Sequence, residues 1–144
     1  MALTPEQFHY AFGNNLSEEA SKAAYDRYVV PVPGPDHVLF QASLANFNPH
    51  APTTVDFHND DRAPLLLIAG GKDHVAPASV TEANYRLYRK SKAVTDLKEF
   101  PDRSHYTLGE PGWEEVADYA LRWAVEHAET DPHRLSTADP NNSE

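Results

Sequence analysis

The chain has 144 residues, with 12 Lys and Arg against 22 Asp and Glu, for a formal net charge of −10. That balance argues against an electrostatic grip on nucleic acid or an anionic membrane. The absence of cysteine excludes disulfides and thiolate metal sites. A hydrophobic share of 40% and a charged share of 24% fit one globular domain with a modest core. The opening MALTPEQFHY has neither a basic nor an apolar signal region, and no apolar stretch approaches the ~20 residues of a membrane helix. The expected setting is the cytoplasm.

In chain order, Thr4 is a plausible N-cap with Pro5 at the first helical position, and Phe8 and Phe12 share one face. Gly13-Asn14-Asn15 supplies the stop, and Ser17 starts a second helix with Ala20, Ala24 and Tyr28 on one stripe. The VVPVPGP segment is a stiff connector. Residues 38–47 (VLFQASLANF) read as a short buried helix, and residues 48–63 read as an extended loop. Together, residues 1–50 look like a helical cap or lid laid over something else, with residues 51–63 as its linker.

Residues 64–77 read PLLLIAGGKDHVAP. Five apolar residues from Leu65 to Ala69, closed by two glycines, suit a strand buried on both faces. A helix is expected from Ser79 to Lys90, with Val80, Ala83, Asn84, Leu87 and Tyr88 on its inner face. Residues 94–100 form a second strand candidate, whose charges suggest an edge position. The clearest helix runs from Trp113 to His127, with Val116, Ala120, Trp123 and Ala124 on one face. The expected organisation is an α/β core part over 64–130 and a polar, disordered tail over 131–144.

Asp73 follows the first strand and His105 follows the second. Chemistry in open α/β sheets gathers beyond the carboxyl ends of the strands, so the two side chains are candidates to meet there. A carboxylate on one imidazole nitrogen fixes the tautomer and leaves the other nitrogen to accept a proton. Taken singly, Asp73 reads equally well as a turn former and His105 as a surface residue. Their equivalent positions in successive β/α units carry the sharper reading.

The segments IAGGKDHVAP and EFPDRSHYTLGEPGWEEVADYALRWAVEH resemble the C-terminal part of the α/β-hydrolase superfamily. The likeness spans Pro64 to about His127, roughly half of the chain, with a weaker likeness of the first fifty residues to the superfamily's lid. It implies a partial α/β-hydrolase fold in which Asp73 is the triad acid and His105 the general base. It also implies a small-molecule ester or similar carbonyl substrate and no cofactor; the expectation of no nucleic-acid or membrane partner rests on the charge balance and the lack of a long apolar stretch. On that basis Phe8, Phe12, Phe40 and Phe47 are either cleft-lining residues or ordinary lid packing.

The superfamily's nucleophile sits in G-x-S-x-G and precedes acid and base in the chain. No such motif occurs in this sequence. Ser104, Ser43 and Ser79 lack the elbow context, so the expected chain supplies acid and base but no nucleophile. It reads as an N-terminally truncated hydrolase that associates with itself or with the missing half. The alternative is a non-catalytic remnant serving as an interaction or regulatory module. A metal site from His50, His58, Asp60, Asp61, Asp73 and His74 matches no spacing with a known mechanism. Arg86, Arg89, Lys90 and Lys92 read as cations at a helix C-terminus, and His74 as a lid-facing or exposed neighbour.

Overall fold

A computed structural model describes residues 3–30 and 54–128. The expected helix at 38–47, with Phe40, Ser43 and Phe47, lies outside the described residues, as do His50 and the tail.

Helix α1 (Pro5–Ala11) starts as its sequence dictates. Thr4 Oγ1 accepts from the Gln7 amide, and the Gln7 side chain accepts from the Thr4 amide, a reciprocal cap with Pro5 alongside. Helix α2 (Glu18–Tyr28) is capped by Ser17, whose hydroxyl accepts from Ala20 N at 3.2 Å. The two helices pack through Phe8, which stacks on Phe12 at 5.2 Å and meets Tyr25 edge-on at 5.7 Å. The inward face of α2 is Ser21 and Ala24 with Tyr25, whereas Ala20 and Tyr28 are exposed. The stripe is therefore rotated from the expected one. Small Ser21 and Ala24 let α1 approach closely, with Gly13 set against Ser21.

Strand β1 (Leu65–Gly70) pairs in parallel with β2 (Thr95–Phe100), in register from Leu65↔Thr95 to Gly70↔Phe100. Helix α3 (Ala78–Tyr88) makes the crossover and packs on both strands. Helix α4 (Trp113–Ala128) meets alternate residues of β2, where Trp123 Nε1 donates to Asp96 and Tyr119 packs edge-on against Phe100. The described residues thus form an α/β arrangement of mixed helices with a small parallel sheet.

β1 is less enclosed than its sequence suggests. Leu65 to Ile68 are half-buried and only Ala69 and Gly70 are fully buried, because β2 is its one partner among the described residues. α3 departs further. It has no fully buried residue; Val80, Ala83 and Asn84 are exposed, and only Leu87 and Tyr88 of the expected face are partly covered. On α4, Val116 is fully enclosed and Trp123 partly so, while Ala124 faces out beside the exposed Leu121 and Val125.

The loop before β1 is pinned by Arg62. Its guanidinium donates to the carbonyls of Val94, Tyr88 and Ala93 and to Thr95 Oγ1, and it lies over the Tyr88 ring. This one side chain ties the entry to β1 to the connection between α3 and β2.

Candidate active site

Gly70 and Gly71 prepare the site by what they lack. A Cβ at Gly70 would stand 2.6 Å from Arg103 O, and one at Gly71 would stand 2.5 Å from Pro101 O. The backbone after β2 therefore crosses directly over the end of β1. Neither glycine has positive φ; among the described residues only Gly112 does. Close approach, rather than an unusual turn, is what these two positions require.

That approach brings the loops after both strands together. Asp73 Oδ2 and His105 Nδ1 are 2.8 Å apart, across 32 positions of sequence. Asp73 Oδ1 accepts from the amides of Val75 and Ala76, both at 2.8 Å. The carboxylate divides its labour: one oxygen forms the turn and the other holds the imidazole. The turn expected at Asp73 and its contact with His105 thus use different oxygens.

The environment holds this carboxylate ionised. Burial alone would raise the Asp73 pKa, since its side chain is only 11% exposed, but the Ala76 amide, His105 and the Val75 amide outweigh it and leave the pKa below the ordinary value. With Nδ1 given to the carboxylate, no partner for His105 Nε2 is found among the described residues. The ring is fixed on a second side by Phe12, edge-on at 4.7 Å and 82°.

Beside this pair lies a cleft of about 610 Å³, lined by Ile68, Asp73, His105, Tyr106, Leu108 and Val116 among others. Phe12 contacts the His105 ring itself, while Phe8 is buried in the α1–α2 contact. His74 faces α1: its Nδ1 is 2.8 Å from Tyr10 O and its ring packs on that of Tyr10. The Tyr106 hydroxyl pKa is raised by burial and by its contact with Tyr28, so this phenol stays protonated and remains a donor.

Ser104 is fully buried, and its hydroxyl donates to Phe12 O at 2.9 Å. It faces the protein interior, and no Ser or Thr hydroxyl bonds His105 among the described residues. Asp60 is engaged with Lys92, and no group of three or more His, Asp and Glu converges on a point suited to a metal ion among the described residues.

Four participants escaped the sequence reading: Asn14, Asn15, the backbone of Phe12, and Glu110. Asn14 and Asn15 look like a helix stop, which they also are. Glu110 sits in an acidic, proline-containing loop with the composition of a solvated turn, yet it is only 3% exposed. The one available signal was the adjacency of two asparagines, each with paired donors, just after the helix that Phe12 caps.

No family model, curated protein or solved structure matches this chain. The class defined by fold and site is an α/β protein with an Asp–His pair at the carboxyl edge of a parallel sheet.

Proposed function

We propose that Asp73 and His105 are the acid and general base of an α/β-hydrolase-type site acting on an ester or similarly activated carbonyl. The attacking group comes from polypeptide other than these 144 residues. The observation that supports this reading is the 2.8 Å contact between Asp73 and His105 Nδ1, in a histidine that lines an open cleft and whose Nε2 has no partner among the described residues. In this mechanism Asp73 selects the Nδ1–H tautomer and stabilises the imidazolium. His105 Nε2 takes the proton of an attacking hydroxyl and returns it to the leaving group. If the attacking residue is an aspartate rather than a serine, the same base activates water instead.

The test has two arms. The chain alone should show negligible turnover of p-nitrophenyl esters and no labelling by a fluorophosphonate probe. Co-expressed with a complementary segment carrying G-x-S-x-G, it should gain turnover that depends on His105. Stoichiometric labelling of a serine in this chain would overturn the division of roles.

A second reading is an interaction module without catalysis. It is supported by the missing elbow motif and by exposed apolar side chains, with Leu108 70%, Leu121 63% and Val125 56% exposed. Light scattering discriminates in part: self-association through this surface should weaken on Leu121→Glu with Val125→Glu. Serine-dependent turnover with the complementary segment would refute it.

A further inference from the structure

The turn that ends α1 touches both loops of the Asp–His pair. Asn14 Nδ2 donates to Lys72 O at 3.0 Å, one residue before Asp73. Asn15 Nδ2 donates to Asp102 O at 2.6 Å, at the start of the loop that carries His105. Phe12 O accepts from the Ser104 hydroxyl at 2.9 Å and from the Tyr106 amide at 3.0 Å, the residues on either side of His105. Tyr10 O meets His74, one residue after Asp73. Each catalytic candidate is therefore flanked by residues fastened to the same short segment, 10–15.

Glu110 locks the arrangement from behind. Its Oε1 accepts from the Ser104 amide at 3.0 Å, and its Oε2 lies 3.3 Å from both Ser104 Oγ and Asn15 Nδ2. The carboxylate is only 3% exposed, and no cation pairs with it among the described residues. A buried carboxylate without a cation is costly unless several donors face it. Here one donor, the Ser104 amide, comes from the histidine loop and the other, Asn15 Nδ2, from the α1 turn, so Glu110 has both donors only when the two are docked together.

We propose that residues 10–15 are a positioning clamp for the Asp73–His105 pair, with Asn14, Asn15 and Glu110 as positioning residues. None touches the reacting atoms. The two loops already meet through Lys72 N–H donating to Arg103 O at 2.9 Å and through the exposed Lys72–Asp102 ion pair at 2.9 Å; the clamp adds a third body to that joint and holds Asp73 Oδ2 within reach of His105 Nδ1. The proposal deepens the hydrolase reading and rests on it for its catalytic meaning, but its geometry is measurable without turnover.

The test is NMR of the full 144-residue chain, labelled with ¹⁵N-histidine. Wild-type protein should show His105 as the Nδ1–H tautomer, with that proton protected from exchange and lost on Asp73→Asn. Asn14→Ala and Asn15→Ala should each speed its exchange by about fivefold to tenfold, the worth of one hydrogen bond, and the double variant should do so by more. Asn15→Asp keeps the shape but replaces the donors with acceptors facing Glu110. It should loosen the proton at least as much as Asn15→Ala, whereas a packing role would leave it wild-type. Lys22→Ala, on the exposed side of α2, is the control that should change nothing.

Unchanged exchange in the asparagine variants, with a dispersed amide spectrum and a wild-type tautomer, overturns the clamp and leaves the hydrolase reading standing. Loosened exchange, combined with no turnover in any complemented assembly, supports the clamp and overturns the hydrolase reading. Should Glu110→Ala fail to fold, Glu110→Gln retains the acceptor for the Ser104 amide and is expected to give intermediate loosening. Wild-type exchange in Glu110→Gln removes Glu110's charge from the clamp.

Discussion

The sheet has an aspartate and a histidine at each end, and the two pairs are built differently. At the carboxyl end, Asp73 Oδ2 and His105 Nδ1 make a 2.8 Å bond, and the other Asp73 oxygen is occupied by two backbone amides. At the amino end, Asp96 Oδ2 accepts from Trp123 Nε1 at 2.6 Å, and His127 Nε2 stands 3.8 Å away. His127 Nδ1 lies 2.8 Å from the carbonyl of Trp123 in its own helix, and the two rings stack at 4.2 Å. One pair has a ring nitrogen held by carboxylate in a histidine that lines a cleft. The other has its ring tied to its own helix, and its carboxylate serves an indole. Residue types alone do not set what an aspartate and a histidine can do together; what matters is which atoms the surroundings have already claimed.

The largest expected effect breaks the two ends apart. In an assembly given a G-x-S-x-G segment, Asp73→Asn and His105→Ala should each lower turnover number by about 10⁴-fold. Asp96→Asn and His127→Ala should stay within about threefold, as distant structural changes do. Steady-state kinetics on the four variants decide it, and equal losses at the two ends would erase the distinction.

The next effect concerns how the carboxyl end closes. Gly70→Ala and Gly71→Ala place a Cβ inside contact distance of the Arg103 and Pro101 backbone. Since backbone cannot swing away as a side chain does, each should cost about 1–3 kcal/mol and shift the urea midpoint accordingly. The same variants should disturb the Nδ1 proton of His105 more than any signal of His127, because the strain enters at the carboxyl end.

A smaller effect sharpens the amino end. Trp123→Phe keeps a ring against His127 but removes the donor to Asp96, at a cost of about 1 kcal/mol in unfolding free energy. Turnover in the complemented assembly should not change. A loss of activity without a loss of stability would mean that the two ends communicate.

These contrasts also mark how much was legible beforehand. Apolar runs ended by glycine and proline gave away β1, and capping residues gave away α1 and α2, because those signals are local. The meeting of Asp73 and His105 followed from topology, since equivalent loops of a parallel β-α-β unit share one edge. The inner faces of α2 and α3 did not follow, as the partner's shape chose Ser21 over Tyr28 and left Val80 outside. The clamp was hidden for a related reason: the bonds of Asn14 and Asn15 span 58 to 95 residues, and polar residues in turns look the same whether they face water or each other. In the sequence Gly70-Gly71 only closes an apolar run; the close approach that requires glycine there emerges only with the crossing backbone in place.

The last contrast is in pH. The folded-state pKa of Asp73 lies below its ordinary value, through the Ala76 and Val75 amides and His105 acting against burial. A carboxyl lowered by folding contributes stability that is fully present above the unfolded value, and that contribution is lost as pH falls through the folded one. The sign is therefore definite: from the ordinary carboxylate range downward, part of the acid-induced loss of stability belongs to Asp73. Asp73→Asn should flatten that part of the curve while leaving the slope above it unchanged. The measurement is the urea midpoint of wild type and variant across the acid range. A variant curve parallel to wild type at every pH would show that the carboxylate gains nothing on folding, and the bond to His105 would then be too weak to orient a base.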